Sequence, residues 1–116
     1  MYVDTEARPQ GEVREQELDT AGRLLMKAAD EMEKRGHCKH ATLDELGRVC
    51  LVGALGIAQY GEGYHNSYGI LGQKDWTAYN RIRKLLNQDP VYWNNAPKRT
   101  GPEVVAAMRR AAWLTD

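Results

Sequence analysis

Two cysteines and two histidines are grouped between residues 37 and 50, and they are the side chains best suited to metal or thiol chemistry. The set is His37, Cys38, His40 and Cys50. On an extended strand Cys38 and His40 would share one face, and a hairpin could bring Cys50 opposite them as a third zinc ligand. Structural zinc sites favour closely spaced cysteine pairs, whereas C-x-H has a different spacing. We therefore predict no metal and no cofactor, and Cys38, His40 and Cys50 are kept only as the available ligands.

A thiol-dependent enzyme is a second chemistry for the same segment. Cys50 would lie near the start of a helix, whose dipole lowers the pKa of a thiol. His37 or His40 could act as its base, and Asn94 could orient that base. However, Cys50 adjoins the most apolar run of the chain (residues 49–58), and burial raises the pKa of a thiol. The sequence also lacks the signatures of phosphate-binding loops, zinc peptidases, serine hydrolases and calcium loops. We predict no enzyme and name no catalytic residue.

Aromatic residues supply the leading functional hypothesis. The chain has 6 Tyr and 3 Trp but no Phe, and Tyr and Trp are the aromatic residues enriched at contact surfaces. Residues 60–72 are rich in glycine and tyrosine, a composition typical of adaptable binding surfaces. We predict a non-enzymatic protein-binding module whose partner is another protein, such as a host protein, or a second copy of the chain. The predicted contact residues are Tyr60, Tyr64, His65, Tyr68, Trp76 and Trp93.

Basic residues support an alternative, a regulatory protein that binds nucleic acid with the basic faces of its last two helices. The total of 16 basic and 16 acidic residues argues against a polybasic binder of nucleic acid or membranes. The linker of residues 88–99 is also too long for the turn of a helix-turn-helix motif. No apolar run is long enough to span a bilayer. The basic candidates are Arg81, Arg83, Lys84, Lys98, Arg99, Arg109 and Arg110.

The elements that must position these residues are helices. Apolar residues recur in steps of three and four from Leu18 to Met32, which predicts an amphipathic helix. Asp19 or Thr20 can cap its start, an earlier start within residues 12–17 is the alternative, and Gly36 is a natural stop.

Residues 49–58 are apolar on all sides, which predicts a buried central helix, with a buried strand as the alternative. Gly53 and Gly56 in this helix would let a neighbouring element come close. A third helix is predicted from a cap at Asp75 to Asn87. The last helix is the best specified, because Thr100-x-x-Glu103 is a capping-box sequence.

Together these patterns predict a mainly α protein, a single small domain of about four helices. Either a short β-hairpin or a plain loop would connect the first two helices. Residues 1–12 are expected to form a flexible arm and residues 13–116 the helical domain. With two cysteines and no secretion signal at the N-terminus, we expect a cytoplasmic protein.

Three motifs resemble those of a family of small uncharacterised proteins of actinobacteria and their phages. They are Gly36-His37-Cys38, C-L-V-G-A-L at residues 50–55, and W-N-N-A-P-K-R-T at residues 93–100 followed by Glu103-Val104-Val105. The resemblance extends from about residue 24 to 114. His37 stands where the family usually has Trp and Asn95 where it usually has Asp; if that Asp acts as a base, Asn95 cannot. The resemblance implies one intact helical domain and an actinobacterial or phage setting, and it implies no particular activity.

Overall fold

Five helices make up the regular structure of the residues that the structure describes. The computed structural model describes residues 17–61 and 73–114, so the predicted arm and the candidates Tyr64, His65 and Tyr68 lie outside the described residues. The mainly α, single-domain fold is confirmed, and one short helix beyond the predicted four is present. The helices are α1 (Thr20–Arg35), α2 (Leu51–Tyr60), α3 (Gln73–Leu86), α4 (Pro90–Asn94) and α5 (Gly101–Ala112).

The first helix begins and ends where the sequence predicts. Asp19 is its N-cap, and the Asp19 carboxylate accepts a hydrogen bond from the Gly22 backbone N–H at 2.9 Å. Gly36 follows the last turn with a positive φ of 98°, a conformation that favours glycine. The apolar stripe of α1 faces inward and packs against α2, α3 and α5. This helix is therefore the central element of the core.

Apolar side chains from all four longer helices meet in one core. Burial of such side chains contributes about 1.5–3 kcal/mol each relative to exposure, and it is the main stabilising contribution to a helical domain without disulfides. No helix in the described part of the chain is long and apolar enough to cross a membrane. The largest fully buried apolar side chains include Leu25, Met32, Leu51, Leu55, Ile82 and Met108.

The second helix lies against the backbone of the preceding loop at Gly53. A Cβ atom built on Gly53 would lie 1.8 Å from the carbonyl oxygen of Thr42, far inside contact distance. That carbonyl also accepts a hydrogen bond from the backbone N–H of Cys50 at 3.2 Å. The close approach predicted for Gly53 is confirmed, and its neighbour is the loop between α1 and α2.

This loop forms no hairpin, so the plain-loop interpretation is the correct one. Within the described residues it contains only isolated bridges, a parallel one between His37 and Val49 and an antiparallel one between Leu43 and Val49. The backbone turns sharply between them because the Asp44 carboxylate accepts hydrogen bonds from the backbone N–H groups of Leu46 and Arg48. Both bridges meet at Val49, and neither extends to a second residue pair, so no strand ladder forms.

The start predicted for α5 is correct, whereas the start predicted for α3 is not. A start at Asp75 is wrong, because α3 already includes Gln73 and Asp75 lies inside the helix. The capping box of α5 is confirmed. Thr100 Oγ1 accepts from the backbone N–H of Glu103, and the Glu103 carboxylate accepts from the backbone N–H of Thr100 at 2.9 Å.

Candidate functional site

Asn94 connects three separate segments through one buried amide. It ends α4 and is 1% exposed. Its Oδ1 accepts from the backbone N–H of Leu51 at 3.2 Å and contacts His37 Nε2 at 3.0 Å. Its Nδ2 donates to the carbonyl of Cys38 at 3.2 Å and to Asn95 Oδ1 at 3.0 Å. Because Oδ1 is the acceptor, His37 Nε2 is the donor, and Asn94 orients backbone and imidazole rather than a catalytic base beside a thiol.

The adjacent Asn95 uses only its oxygen in this network. Asn95 Oδ1 accepts from Asn94 and from the backbone N–H of His40 at 3.0 Å. Both are acceptor roles, and a carboxylate at this position could fill them equally well. An Asp in place of Asn95 would therefore preserve the structural role of the position.

Within the part of the chain that the structure describes, neither thiol has a hydrogen bond to a histidine. Cys50 is 5% exposed, caps α2 through its Sγ, and has a raised thiol pKa because it is buried. Burial also raises the pKa of Cys38 to about 11, and its Sγ donates to the carbonyl oxygens of Ala41 and Arg48. Among the described residues no histidine contacts either sulfur, since His37 contacts Asn94 instead.

The metal-ligand candidates are not assembled into a site. His40 is exposed and has a positive φ of 66°. No group of three or more His, Cys, Asp or Glu side chains suited to a metal ion occurs among residues 17–61 and 73–114. Cys38 and Cys50 instead serve as small buried side chains beside the loop and α2.

Three of the seven basic candidates are engaged inside the fold. Arg81 is 2% exposed and forms a two-point ion pair with Asp19. Arg109 contacts Asp30 and Glu33, each at 2.9 Å.

The third engaged cation is Arg99. Its guanidinium lies 4.0 Å from the ring centre of Trp93 and donates to the Trp93 carbonyl. Within the described part of the chain, the other four basic candidates form no ion pair. They are divided between the end of α3, the loop before α5 and α5 itself, so the structure does not gather all seven on one face. These four are Arg83, Lys84, Lys98 and Arg110.

The aromatic candidates differ in exposure. Trp93 is half-buried, packs against the core and lies beneath Arg99. Tyr60 and Trp76 are 44% and 53% exposed. The Trp76 ring is stacked on Tyr79, with ring centres 5.3 Å apart.

Tyr79 links Trp76 to Tyr92, an aromatic residue that is not among the contact residues predicted from the sequence. Its hydroxyl donates to Asp89 at 2.8 Å, and burial together with that carboxylate raises the pKa of Tyr79 to about 12. Asp89 is the N-cap of α4 and accepts from the backbone N–H of Tyr92, whose side chain is 77% exposed. We call Trp76, Tyr79 and Tyr92 the aromatic face. The Asp89-Pro90 helix start was the sequence signal that could have found Tyr92.

An open cleft of about 1180 Å³ lies between the end of α1, the loop of residues 36–48 and the start of α5. Its apolar floor comprises the exposed Pro102 and Ala106 and the almost fully buried Met32 and Val105, and cationic side chains line its walls. The cleft could not be predicted from the sequence, because its walls come from segments far apart in the chain. The cationic wall residues are Lys39, Arg48, Arg99 and Arg109.

Comparison with known proteins identifies a family. Searches of curated proteins and of solved structures gave no match. A family model described as a family of unknown function (DUF6197) matches residues 16–113. That range contains all five helices, the aromatic face and the cleft. The chain belongs to the DUF6197 family of unknown function.

Proposed function

We propose that the protein is a non-enzymatic protein-binding module and that the aromatic face is its contact surface. The observation that carries this proposal is the exposure of Trp76 and Tyr92 on a supported framework. Large exposed aromatic side chains are the residues that most often dominate the binding energy of protein interfaces.

The framework holds the Trp76 ring, and the helix that carries Tyr92, in place before a partner arrives. Trp76 is stacked on Tyr79, and Tyr79 is hydrogen-bonded to the Asp89 carboxylate that caps the helix carrying Tyr92. A ring that is already ordered, as Trp76 is, loses little conformational entropy on binding, so more of its contact energy appears as affinity. This supports a contact role for the face.

Charge beside the aromatic face favours a partner surface that is both apolar and acidic. Arg83 and Lys84 are exposed at the end of α3 and line a shallow depression together with Asp89. Neither cation forms an ion pair with another described residue. Unpaired cations at the rim of an interface accelerate association with an acidic partner. We therefore take the partner to be a protein with an apolar patch bordered by carboxylates.

The setting of the proposal is the cytoplasm of an actinobacterial cell, with a host protein as the partner of a phage-encoded chain. The resemblance of the C-L-V-G-A-L and W-N motifs to actinobacterial and phage proteins supports this setting. Both cysteines are free thiols, the state that a reducing compartment maintains.

The proposal is tested by capture from nuclease-treated actinobacterial lysate. Tagged wild-type protein is compared with the double variant Trp76→Ala/Tyr92→Ala, and captured proteins are quantified by mass spectrometry. Leu46→Ala is the matched control, since Leu46 is 76% exposed but lies in the loop before α2. Sedimentation of the purified protein tests the second-copy alternative in parallel.

A stoichiometric protein captured by wild type and Leu46→Ala but not by the double variant would support the proposal. We expect its affinity to fall at least tenfold in the double variant, as is usual when interface anchors are removed. Equal capture by all three proteins would contradict the aromatic face as the contact surface. Recovery that depends on nucleic acid would favour the nucleic-acid alternative instead.

A further inference from the structure

We propose that the Lys39–Arg99 end of the cleft binds the phosphate or carboxylate group of a small organic anion. This ligand site is independent of the protein-binding proposal, because it shares no residue with the aromatic face. The inference rests on how two cations are held there, on the carboxylate beside them and on the apolar floor.

Both cations are positioned by neutral acceptors. Lys39 Nζ donates to the carbonyl oxygen of Pro97 at 2.9 Å. Arg99 Nε donates to the carbonyl oxygen of Trp93 at 3.1 Å, and the Arg99 guanidinium is stacked on the Trp93 ring. A carbonyl orients a cation without cancelling its charge, so both side chains keep their attraction for an oxyanion.

The carboxylate nearest to this pair is already committed to the capping box of α5. Glu103 Oε1 accepts from the backbone N–H and the hydroxyl of Thr100, and Oε2 lies 3.6 Å from Arg99. The Thr100 hydrogen bonds lower the pKa of Glu103, and the charges of Arg99 and Lys39 lower it further. Two cations therefore face one carboxylate, which leaves this end of the cleft with a positive excess.

The other cations that line the cleft have their charges balanced by carboxylates. Arg48 pairs with Asp44 at 2.6 Å, and Arg109 is held between Asp30 and Glu33. The positive end of the α5 dipole, at Gly101, adds to the charge at the Lys39–Arg99 end. An anionic group is therefore drawn to one end of the cleft, and its orientation is defined.

Size and polarity of the cleft fit an organic ligand better than an inorganic ion. Its volume of about 1180 Å³ is slightly larger than the roughly 300–1,000 Å³ typical of small-molecule sites, so a whole organic ligand fits. Pro102 and Ala106 are exposed and provide an apolar surface beside the charged end. The ligand class that matches both features is a phosphorylated or carboxylated small molecule with an apolar body.

Titration with two polyanions tests the site. Pyrophosphate and citrate are added separately to the full chain, and binding is followed by calorimetry and by amide chemical shifts. Lys39→Gln removes one cation of the site. Lys98→Gln is the matched control, because Lys98 is exposed in the same part of the chain as Arg99 and does not line the cleft. Circular dichroism confirms that each variant is folded.

We expect saturable binding with a Kd of about 1 mM or tighter for at least one probe. Shifts should be centred on the Lys39, Thr100 and Gly101 amides. Lys39→Gln should weaken binding about tenfold, whereas Lys98→Gln should change it less than about twofold. A preference for pyrophosphate or citrate would assign the group as phosphate or carboxylate. The proposal is overturned if neither probe saturates, or if both variants lose affinity equally.

Discussion

Asn94 and Asn95 are adjacent and chemically identical, yet the structure gives them different tolerances. Asn94 uses its oxygen as an acceptor and its nitrogen as a donor to two oxygens inside the protein. Asn95 uses only its oxygen in hydrogen bonds to described residues. Replacing the amide with a carboxylate therefore removes two hydrogen-bond donors that the fold uses at Asn94, but none that it uses at Asn95.

We predict that Asn94→Asp lowers the free energy of unfolding by about 3 kcal/mol at neutral pH, because it buries a charge facing two oxygen acceptors. Asn95→Asp is the control, with an expected change below about 0.5 kcal/mol. Urea denaturation measures both. Similar losses in the two variants would contradict the roles assigned to the two amides.

The two thiols permit a second prediction at this scale. The raised pKa of Cys38 and of Cys50 reduces the thiolate fraction at neutral pH, and both side chains are buried. We expect iodoacetamide to alkylate them at least about tenfold more slowly in the folded than in the denatured protein. Mass spectrometry of timed samples measures the rates. Fast modification of Cys50 in the folded protein would return the thiol-enzyme alternative to consideration.

At the scale of elements, the contact between α2 and the preceding loop depends on the absence of one methyl group. We predict that Gly53→Ala costs about 3 kcal/mol or more of stability, because the new Cβ would meet a backbone carbonyl that cannot rotate away. Gln59→Ala, in the same helix but only half-buried, is expected to change stability by less than about 0.5 kcal/mol. Thermal melts of the two variants provide the comparison, and an unperturbed Gly53→Ala would show that the loop can move.

Helices with local signals could be predicted from the sequence. The Asp19 cap, the positive-φ stop at Gly36 and the Thr100 capping box all act within a few residues, and the structure confirms each of them. The five-residue α4 is not among the predicted helices, although Asp89-Pro90 is a helix-start sequence in which Asp89 is the N-cap and Pro90 lies in the first turn.

Features that depend on distant partners could not be predicted in this way. Arg81 lies on a charged stretch that is typical of a solvent-exposed face, but its partner Asp19 is 62 residues away. The cleft likewise combines Lys39 with Arg99. Sequence periodicity reports which side chains are apolar, and it contains no information about which charged residues from separate helices will meet.

At the scale of the whole molecule, the Asp19–Arg81 pair links the start of α1 to α3 and makes stability depend on pH. The Arg81 hydrogen bonds lower the pKa of Asp19 from 3.8 to about 2. Between about pH 4 and pH 2 the Asp19 carboxyl group is protonated in the unfolded chain but stays ionised in the folded protein. The stabilisation is therefore complete above that pH and is lost as the pH falls towards 2.

We predict that Asp19→Asn, which keeps a good N-cap residue, is less stable than wild type by about 1 kcal/mol at neutral pH. The value is moderate because the Asp19 side chain is 54% exposed and solvent screens the pair. The difference should shrink towards zero near pH 2 in urea titrations at several pH values. Asp30→Asn is the control, since Arg109 keeps its contact with Glu33. A pH-independent difference would argue against the ion pair as its source.

The buried amide of Asn94 also has a consequence for the order of folding. It joins residues 38, 51 and 94, so its hydrogen bonds require the closure of long loops. Contacts of this kind tend to form after the folding transition state, when the local helices already exist. Substitutions at Asn94 are therefore expected to leave the refolding rate nearly unchanged and to accelerate unfolding. The Asn94 side chain would then mainly slow unfolding, and so determine the lifetime of the folded protein.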